Sequence, residues 1–269
     1  MHFSSSLADF MERLNEGPAG IDDALAAVEK CAADSGTVLD LQQMTLTDED
    51  LQLISTKFDS LAAHVTKLNL FMNEISVLPA SITALSNLEI LHAGCNPLES
   101  VDAALFAALP KLTEIDVGFS EILSQLPDSF SNLPSLKVLK AGNGRLTSLP
   151  PSLFKCSNLE ELYLYGNSLK GVSEEIGELR KLKLLNLGRN QIASLPDSIG
   201  RCGVLETLHL YENCLSSLPK GVVRLEHLQT LNVNSNANLP MPPREVRCLA
   251  AAKSTASFLA TGVANGTTI

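Results

Sequence analysis

The stretch LKLLNLGRNQIASLPDSIGRCGV, residues 182–204, decides the fold of this chain. Its opening residues alternate with the period of a β-strand, in which successive side chains point to opposite faces. Leu185 and Leu187 fall on one face, and Asn186 and Gly188 fall on the other. The Leu-Pro step that follows cannot join a strand ladder, because proline has no backbone N–H to donate. The stretch therefore predicts one short strand followed by an extended or short helical return segment.

The same pattern recurs at a nearly fixed interval along the chain. Units begin at residues 36, 65, 88, 112, 136, 159, 182, 205 and 228, and from residue 65 onward each is 23 or 24 residues long. No unit can bury its own leucines, so neighbouring units must stack and their strands must form one sheet. The sequence therefore predicts an α/β fold, a curved right-handed leucine-rich repeat solenoid with a parallel β-sheet on its concave face and helical caps at both ends.

The repeat divides the chain into four parts. Residues 1–35 are predicted to form a helical N-terminal cap, with apolar helical stripes over residues 7–14 and 21–33, and residues 36–241 the solenoid of about nine units. Residues 242–261 are predicted to form a C-terminal capping helix, and residues 262–269 a flexible tail. Caps are expected because an open solenoid end exposes leucine to water. The first unit is longer than the others, and its return segment, residues 48–63, has the spacing of a true helix.

An asparagine occupies the ninth position of most units, where the chain turns inward after the strand. A side-chain amide can bond backbone groups that such a turn leaves unpaired, so we predict a structural role for it. Ser120 and Gly144 replace the asparagine in two units, and those two turns should be the least regular. The asparagines are Asn73, Asn96, Asn167, Asn190, Asn213 and Asn236.

Leucine dominates the composition. The chain has 48 leucines against 12 aromatic rings in 269 residues, and 45% of its residues are hydrophobic, which excludes an intrinsically disordered chain. No run of about 18 apolar residues occurs, so we expect no membrane span. Residues 1–17 lack the basic and then apolar pattern of a secretory signal. These features lead us to expect a cytoplasmic protein.

The formal net charge of -10 is concentrated near the N-terminus. Residues 1–64 hold 12 acidic and 3 basic side chains, whereas residues 65–269 hold 18 acidic and 17 basic ones. Phosphate binding needs clustered lysine and arginine, so a nucleic acid is not expected as a partner. The acidic region is interpreted as a solubilising surface, with an acidic docking surface as the alternative.

Residues suited to catalysis are scarce. The five histidines do not have the spacing of metal ligands, and no glycine-rich phosphate loop ends in Lys-Ser or Lys-Thr. The six cysteines lack the paired flanking arrangement of secreted repeat proteins, so reduced thiols are expected. We predict that the chain is not an enzyme and has no catalytic residues, no metal and no cofactor.

The outward positions of the strands carry the candidate binding residues. All three tyrosines of the chain fall at the fifth or seventh position of a unit, which faces away from the core. Strands favour aromatic residues in any case, but aromatic side chains with polar tips are also enriched at protein interfaces. We therefore predict that the concave face binds a protein partner. The predicted binding residues are Phe71, His92, Tyr163, Tyr165, His209, Tyr211, Gly94, Gly118 and Gly142.

The three glycines of that set form a glycine lane at the seventh position of consecutive units. Gly94, Gly118 and Gly142 leave this row without side chains. Phe71 bounds the lane on one side and Tyr165 on the other. A partner segment could lie close to the backbone there, and the alternative is that glycine simply suits the end of the strand.

The 23-residue units with a Leu-Pro-x-x-Ile return, as in residues 195–199, resemble the cytosolic Ras-group leucine-rich repeat proteins, the Shoc-2-like class, over residues 65 to about 243. The first unit departs from that class in its length, and the units at 88, 112 and 159 lack a regular Leu-Pro. The resemblance implies an intracellular scaffold or adaptor that binds signalling proteins through its concave face. We predict a monomeric, non-enzymatic protein-protein interaction module. The alternatives are a regulatory or targeting subunit of an enzyme such as a protein phosphatase, and a secreted recognition or adhesion protein.

Overall fold

The computed structural model describes residues 20–240 and the backbone of residues 257–259. Ten strands form one parallel sheet in which each strand pairs with the next one along the chain. The first nine strands give one strand for each of the nine predicted units, which confirms the predicted repeat solenoid, because stacked units place consecutive strands side by side. The strands are β1 Val38–Asp40, β2 Lys67–Asn69, β3 Ile90–His92, β4 Glu114–Asp116, β5 Val138–Lys140, β6 Glu161–Tyr163, β7 Leu184–Asn186, β8 Thr207–His209, β9 Thr230–Asn232 and β10 Ser257–Leu259.

Short helices form the side of the solenoid opposite the sheet. Among the described residues, helix α1 (Ile21–Ala33) precedes the first unit, and two return segments contain α-helices, α2 (Asp48–Ser55) and α3 (Ala103–Ala108). Across the described part of the chain, no helix is both long and apolar enough to cross a bilayer. The remaining return segments form 3-10 turns at Phe58–Leu61, Ala80–Ala84, Phe130–Asn132, Pro151–Lys155, Glu174–Glu178, Asp197–Arg201 and Lys220–Arg224.

The core lies between the sheet and the return segments. The central residue of each strand from β1 to β9 is buried and pairs in register with the central residue of the next strand. Complete burial of one such side chain stabilises the fold by about 1.5–3 kcal/mol, so the row acts as a continuous apolar spine. Its members are Leu39, Leu68, Leu91, Ile115, Leu139, Leu162, Leu185, Leu208 and Leu231.

Helix α1 covers the N-terminal end of the core. It buries Ala24, Val28 and Cys31 against the first unit, which confirms the predicted helix over residues 21–33. The first return segment is helical as predicted, over α2 and the 3-10 turn after it, and Thr47 caps α2 by accepting a hydrogen bond from the Asp50 N–H. The other predicted stripe of the N-terminal cap, residues 7–14, lies outside the described residues.

The C-terminal end differs from the prediction. A capping helix was expected over residues 242–261, but Ser257–Leu259 form strand β10, which pairs in parallel with β9. The reason is physical: the outer edge of β9 presents unpaired N–H and C=O groups, and a further strand satisfies them where a helix would not. The rest of that range and the predicted tail at 262–269 lie outside the described residues.

The ninth-position asparagines form a buried polar ladder, as predicted. In Asn190 the side-chain oxygen accepts a hydrogen bond from the Leu169 N–H of the preceding unit at 3.0 Å. Its amide donates to the carbonyls of Leu164 and Leu187, each at 3.0 Å. The ladder is interrupted at the two substituted units, and the Ser120 hydroxyl is buried with no hydrogen-bond partner among the described residues. The same arrangement recurs at Asn73, Asn96, Asn167, Asn213 and Asn236.

The residue before each ladder position has a left-handed backbone. At this eighth position φ lies between 51° and 62° in every unit except the sixth, where Gly166 has a φ of 68°. A non-glycine residue in this region costs about 1 kcal/mol or more. The cost is offset by a hydrogen bond from the eighth N–H to the seventh carbonyl of the next unit, as in Phe119 to Gly142 at 2.7 Å. The residues are Gln43, Met72, Cys95, Phe119, Asn143, Gly166, Arg189, Glu212 and Ser235.

Glycine allows the last three 3-10 turns to pack closely. A Cβ placed on Gly200 would lie 2.5 Å from the Gly221 carbonyl oxygen. A Cβ on Gly221 would lie 2.1 Å from the Asp197 carbonyl oxygen, and one on Gly177 would lie 2.7 Å from that of Ser198. These separations are far inside van der Waals contact, so the spacing of the turns depends on the absence of side chains there.

Candidate protein-binding face

The candidate binding residues lie on the solvent side of the sheet, which we call the sheet face and define as the third, fifth and seventh positions of the units. Strand pairing aligns the fifth positions in one row, so that His92, Asp116, Lys140 and Tyr163 are successive register partners. The structure therefore brings His92 and Tyr163 into one row, and places His209 two strands beyond Tyr163 in the same row.

A carboxylate at the third position links a histidine and a lysine of the fifth row. Oε1 of Glu114 lies 3.0 Å from Nε2 of His92 and 2.6 Å from Nζ of Lys140. The hydrogen bond from His92, together with the hydrogen bond and charge of Lys140, lowers the pKa of Glu114 to about 2. The three side chains come from three consecutive strands, so the contact fixes side chains across the middle of the sheet face.

This network predicts a specific acid dependence of stability. Because the pKa of Glu114 is lower in the folded chain than in the unfolded chain, its carboxylate stabilises the fold above about pH 4.5. That contribution, at most roughly 3 kcal/mol, is lost as the pH falls towards 2. We expect Glu114→Gln to reduce the difference in unfolding free energy between pH 5 and pH 2.5, measured by urea denaturation. If the unfolding free energy falls equally between pH 5 and pH 2.5 in the wild type and in Glu114→Gln, Glu114 is not the source of this acid dependence.

The glycine lane is filled by neighbouring side chains. A Cβ on Gly94 would lie 2.9 Å from Oδ1 of Asp116, and a Cβ on Gly142 would lie 2.7 Å from Cε1 of Tyr165. Gly94, Gly118 and Gly142 are consequently buried. The prediction of an open lane for a partner backbone is therefore corrected. Side chains of the following unit lie over Gly94 and Gly142, and Gly118 lies against Asp116 of its own unit and the backbone of Gly142.

The tyrosines of the sheet face are held in place by contacts within the protein. The Tyr165 ring lies over Gly142, and the Tyr211 ring lies over Gly188, whose Cβ would come within 2.3 Å of it. The Tyr163 hydroxyl donates a 2.7 Å hydrogen bond to Glu161. Burial, followed by this hydrogen bond to a carboxylate, raises the pKa of Tyr163. Each ring therefore occupies a defined position before any partner binds.

The C-terminal part of the sheet face, from β7 to β9, carries no Asp, Glu, Lys or Arg. His209 packs edge-on against Tyr211, with ring centroids 6.2 Å apart. Burial lowers the pKa of His209, which favours its neutral form, and its Nδ1 has no hydrogen-bond partner among the described residues. Phe71, the remaining predicted residue, lies at the seventh position of the second unit, near the N-terminal end of the sheet.

An apolar surface borders the sheet face at the eighth position, and the sequence did not point to it. Met72 is 44% exposed and Phe119 is 50% exposed, both in the left-handed turn after their strands. The Phe119 ring meets the Tyr165 ring at a centroid distance of 6.3 Å and an interplanar angle of 77°. Met72 lies two units before Phe119 in this column, with Cys95 between them.

Among the described side chains, no group of three or more His, Cys, Asp or Glu residues could hold a metal ion. The described cysteines are Cys31, Cys95, Cys156, Cys202 and Cys214, and all five are free. Burial raises the pKa of Cys156 and of Cys202 to about 12, so both thiols stay protonated at neutral pH.

Two family profiles match this repeat. The profile described as leucine-rich repeat region matches residues 167–257, and the profile described as leucine rich repeat matches residues 86–143 and 141–192. The chain is a leucine-rich repeat protein. No curated protein matches this leucine-rich repeat protein by sequence.

Solved structures show the same fold. A leucine-rich repeat protein of Leptospira interrogans is 27% identical, with a TM-score of 0.70, over 82% of this chain and 59% of that chain. A TDR receptor is 22% identical, with a TM-score of 0.59, over 75% of this chain and 41% of that chain. The leucine-rich repeat protein described here thus spans less than two thirds of the length of either. Leucine-rich repeat domains generally mediate protein-protein interaction.

Proposed function

We propose that this leucine-rich repeat protein is a non-enzymatic module that binds a protein partner on its sheet face. The observation that supports this most is the fixed geometry of the exposed side chains. Tyr165 and Tyr211 rest on glycines, Tyr163 is bonded to Glu161, and Glu114 joins two neighbouring strands. Side chains that are ordered before binding lose less conformational entropy when a partner arrives.

The dimensions of the sheet face suit a protein rather than a small molecule. Eight intervals separate β1 from β9, and at a strand spacing of about 4.8 Å the face is roughly 38 Å long. Its aromatic side chains are of the type that supplies most of the binding energy in protein interfaces. The face is therefore long enough for a standard interface with several anchor residues.

We infer that the protein acts as a monomeric scaffold or adaptor in intracellular signalling. The resemblance of its units to the Ras-group class supports the signalling role. The five free cysteines among the described residues are consistent with a reducing compartment such as the cytoplasm.

The test is affinity capture from a cytosolic fraction. We expect the combined variant Tyr163→Ala, Tyr165→Ala and Tyr211→Ala to retain less than about a tenth of the captured partner, because hot-spot residues dominate affinity. The control variant removes three exposed cations of the opposite side, Lys155, Lys220 and Arg224, and should capture as much as the wild type.

Thermal unfolding of each variant shows whether it is folded, so that a reduced amount of captured partner can be attributed to the binding face. Equal capture by the folded tyrosine variant would overturn the proposed binding face. Absence of the native chain from the cytosolic fraction would contradict the location. A captured enzyme whose activity changes on binding would favour the regulatory-subunit alternative.

A further inference from the structure

Asp116 is a half-buried carboxylate whose two neighbours in the fifth row are both bonded to another carboxylate. His92 and Lys140 are its register partners on the strands either side. Both side chains bond instead to Oε1 of Glu114, at 3.0 Å and 2.6 Å. Asp116 itself makes no ion pair with any residue in the described part of the chain; its Oδ1 accepts one hydrogen bond, from the Gly118 N–H at 2.9 Å.

The position of this carboxylate is fixed by the backbone around it. The bond from Gly118 orients the side chain, and the missing side chain of Gly94 provides the space into which Oδ1 points. Oδ2 accepts no hydrogen bond from any residue that the structure describes. A residue other than glycine at position 94 would push the carboxylate out of this site.

Two aromatic side chains lie in the same part of the sheet face as this carboxylate. Tyr165 is close enough for the charge of Asp116 to help raise its pKa, after burial as the larger cause. Phe119 follows Asp116 on the same strand turn and meets the Tyr165 ring edge-on at 6.3 Å. Half of the Phe119 surface is exposed, so its ring is free to contact another molecule.

The local charge favours a cation. Glu114, Asp116 and Glu161 face this part of the sheet, with Lys140 as the opposing cation and His92 beside it. Burial raises the pKa of Asp116, which means that its charged form is under-solvated in the free protein. A cation placed against Oδ2 would compensate the lost hydration.

The geometry points to Asp116, Phe119 and Tyr165 as a pocket for an arginine side chain of the protein partner. The inference rests on the proposed function and names the chemistry that the sheet face recognises. A guanidinium group is planar and weakly hydrated, so it can stack on an aromatic ring while donating hydrogen bonds to a carboxylate. A lysine ammonium has neither the flat face nor the paired donors.

The test uses the full-length chain labelled with nitrogen-15 and N-acetyl-L-arginine methylamide as the probe. We expect saturable shifts of the Gly94 and Gly118 amide signals with a dissociation constant on the order of millimolar, as suits a single side chain. N-acetyl-L-lysine methylamide should bind at least about threefold more weakly. Absence of saturable shifts with the arginine probe, or equal binding of the lysine probe, would overturn the inference.

Two variants and one matched control separate the pocket from the fold. Asp116→Asn keeps an oxygen for the Gly118 N–H and should weaken arginine binding about tenfold, and Phe119→Ala should weaken it about threefold. Asp40→Asn should leave it unchanged, because Asp40 occupies the same position of the first unit and already accepts hydrogen bonds from Gln42 and Asn69. Equal loss in all three variants would contradict the assignment to Asp116.

Affinity capture then distinguishes this inference from the proposed function. A partner lost with both the tyrosine variant and Asp116→Asn supports the arginine pocket. A partner lost with the tyrosine variant but fully retained by Asp116→Asn contradicts the pocket and leaves the binding face standing.

Discussion

Replacing Asn190 by alanine is expected to lower the free energy of unfolding by about 2–4 kcal/mol. The Leu169 N–H would lose its acceptor inside the core, and a buried donor without a partner costs about 1–3 kcal/mol. The carbonyls of Leu164 and Leu187 would each lose one of two bonds, since the asparagines of the adjacent units also donate to them. The missing amide also leaves a small cavity.

The matched control for Asn190 is Ser120→Ala, at the same position of another unit. The Ser120 hydroxyl is buried but has no partner among the described residues, so its removal breaks no hydrogen bond. We expect a change within about 0.5 kcal/mol. Urea denaturation followed by circular dichroism measures both variants, and similar losses for the two would show that volume, not hydrogen bonding, is what matters at this position.

Gly221→Ala is expected to destabilise the chain by about 2–3 kcal/mol although it adds only one methyl group. The new Cβ would lie 2.1 Å from the Asp197 carbonyl oxygen and 3.0 Å from the Gly200 nitrogen. Both atoms belong to the backbone of the preceding unit, so no side-chain rotation relieves the overlap. The two 3-10 turns must move apart, and the leucines beneath them lose contact.

Gly203→Ala is the control for Gly221→Ala. Gly203 lies in the loop between the same two units, is exposed, and has no heavy atom of the described residues within 4 Å of an added Cβ. We expect its effect on the unfolding free energy to stay within about 0.5 kcal/mol. Urea denaturation measures both variants. If the urea concentration at the unfolding midpoint is as high for Gly221→Ala as for Gly203→Ala, the two turns can separate without loss of stability.

The repetitive features were predictable from the sequence because they depend on one unit and its immediate copies. Alternating apolar residues place Leu185 on the inner face of its strand wherever the unit sits. An amide after the strand, as in Asn190, meets the same unpaired backbone groups in each unit. The repeat period is therefore sufficient to predict both the strands and the polar ladder.

The features that were missed depend on how side chains lean between units. Asp116 and Tyr165 reach back over glycines of the preceding unit, and their orientation follows from rotamers and local space that a list of positions does not contain. Glu114 lies at the third position, whereas the aromatic side chains that indicate a binding face lie at the fifth and seventh, so the pattern did not indicate its contacts with two neighbouring strands. The C-terminal strand was missed because Ser257–Leu259 follow a segment whose spacing is that of a helix.

The left-handed eighth position has a consequence for how such a protein can change over time. Its backbone is held by the N–H bond to the next unit, whatever side chain it bears, and the chain places Met72, Phe119, Arg189 and Glu212 there with nearly the same φ. A mutation at the eighth position can therefore change which molecule the surface binds without changing the backbone conformation of the repeat. The eighth position can therefore change what the protein binds, while the neighbouring ninth position, with its buried asparagine in most units, stabilises the fold.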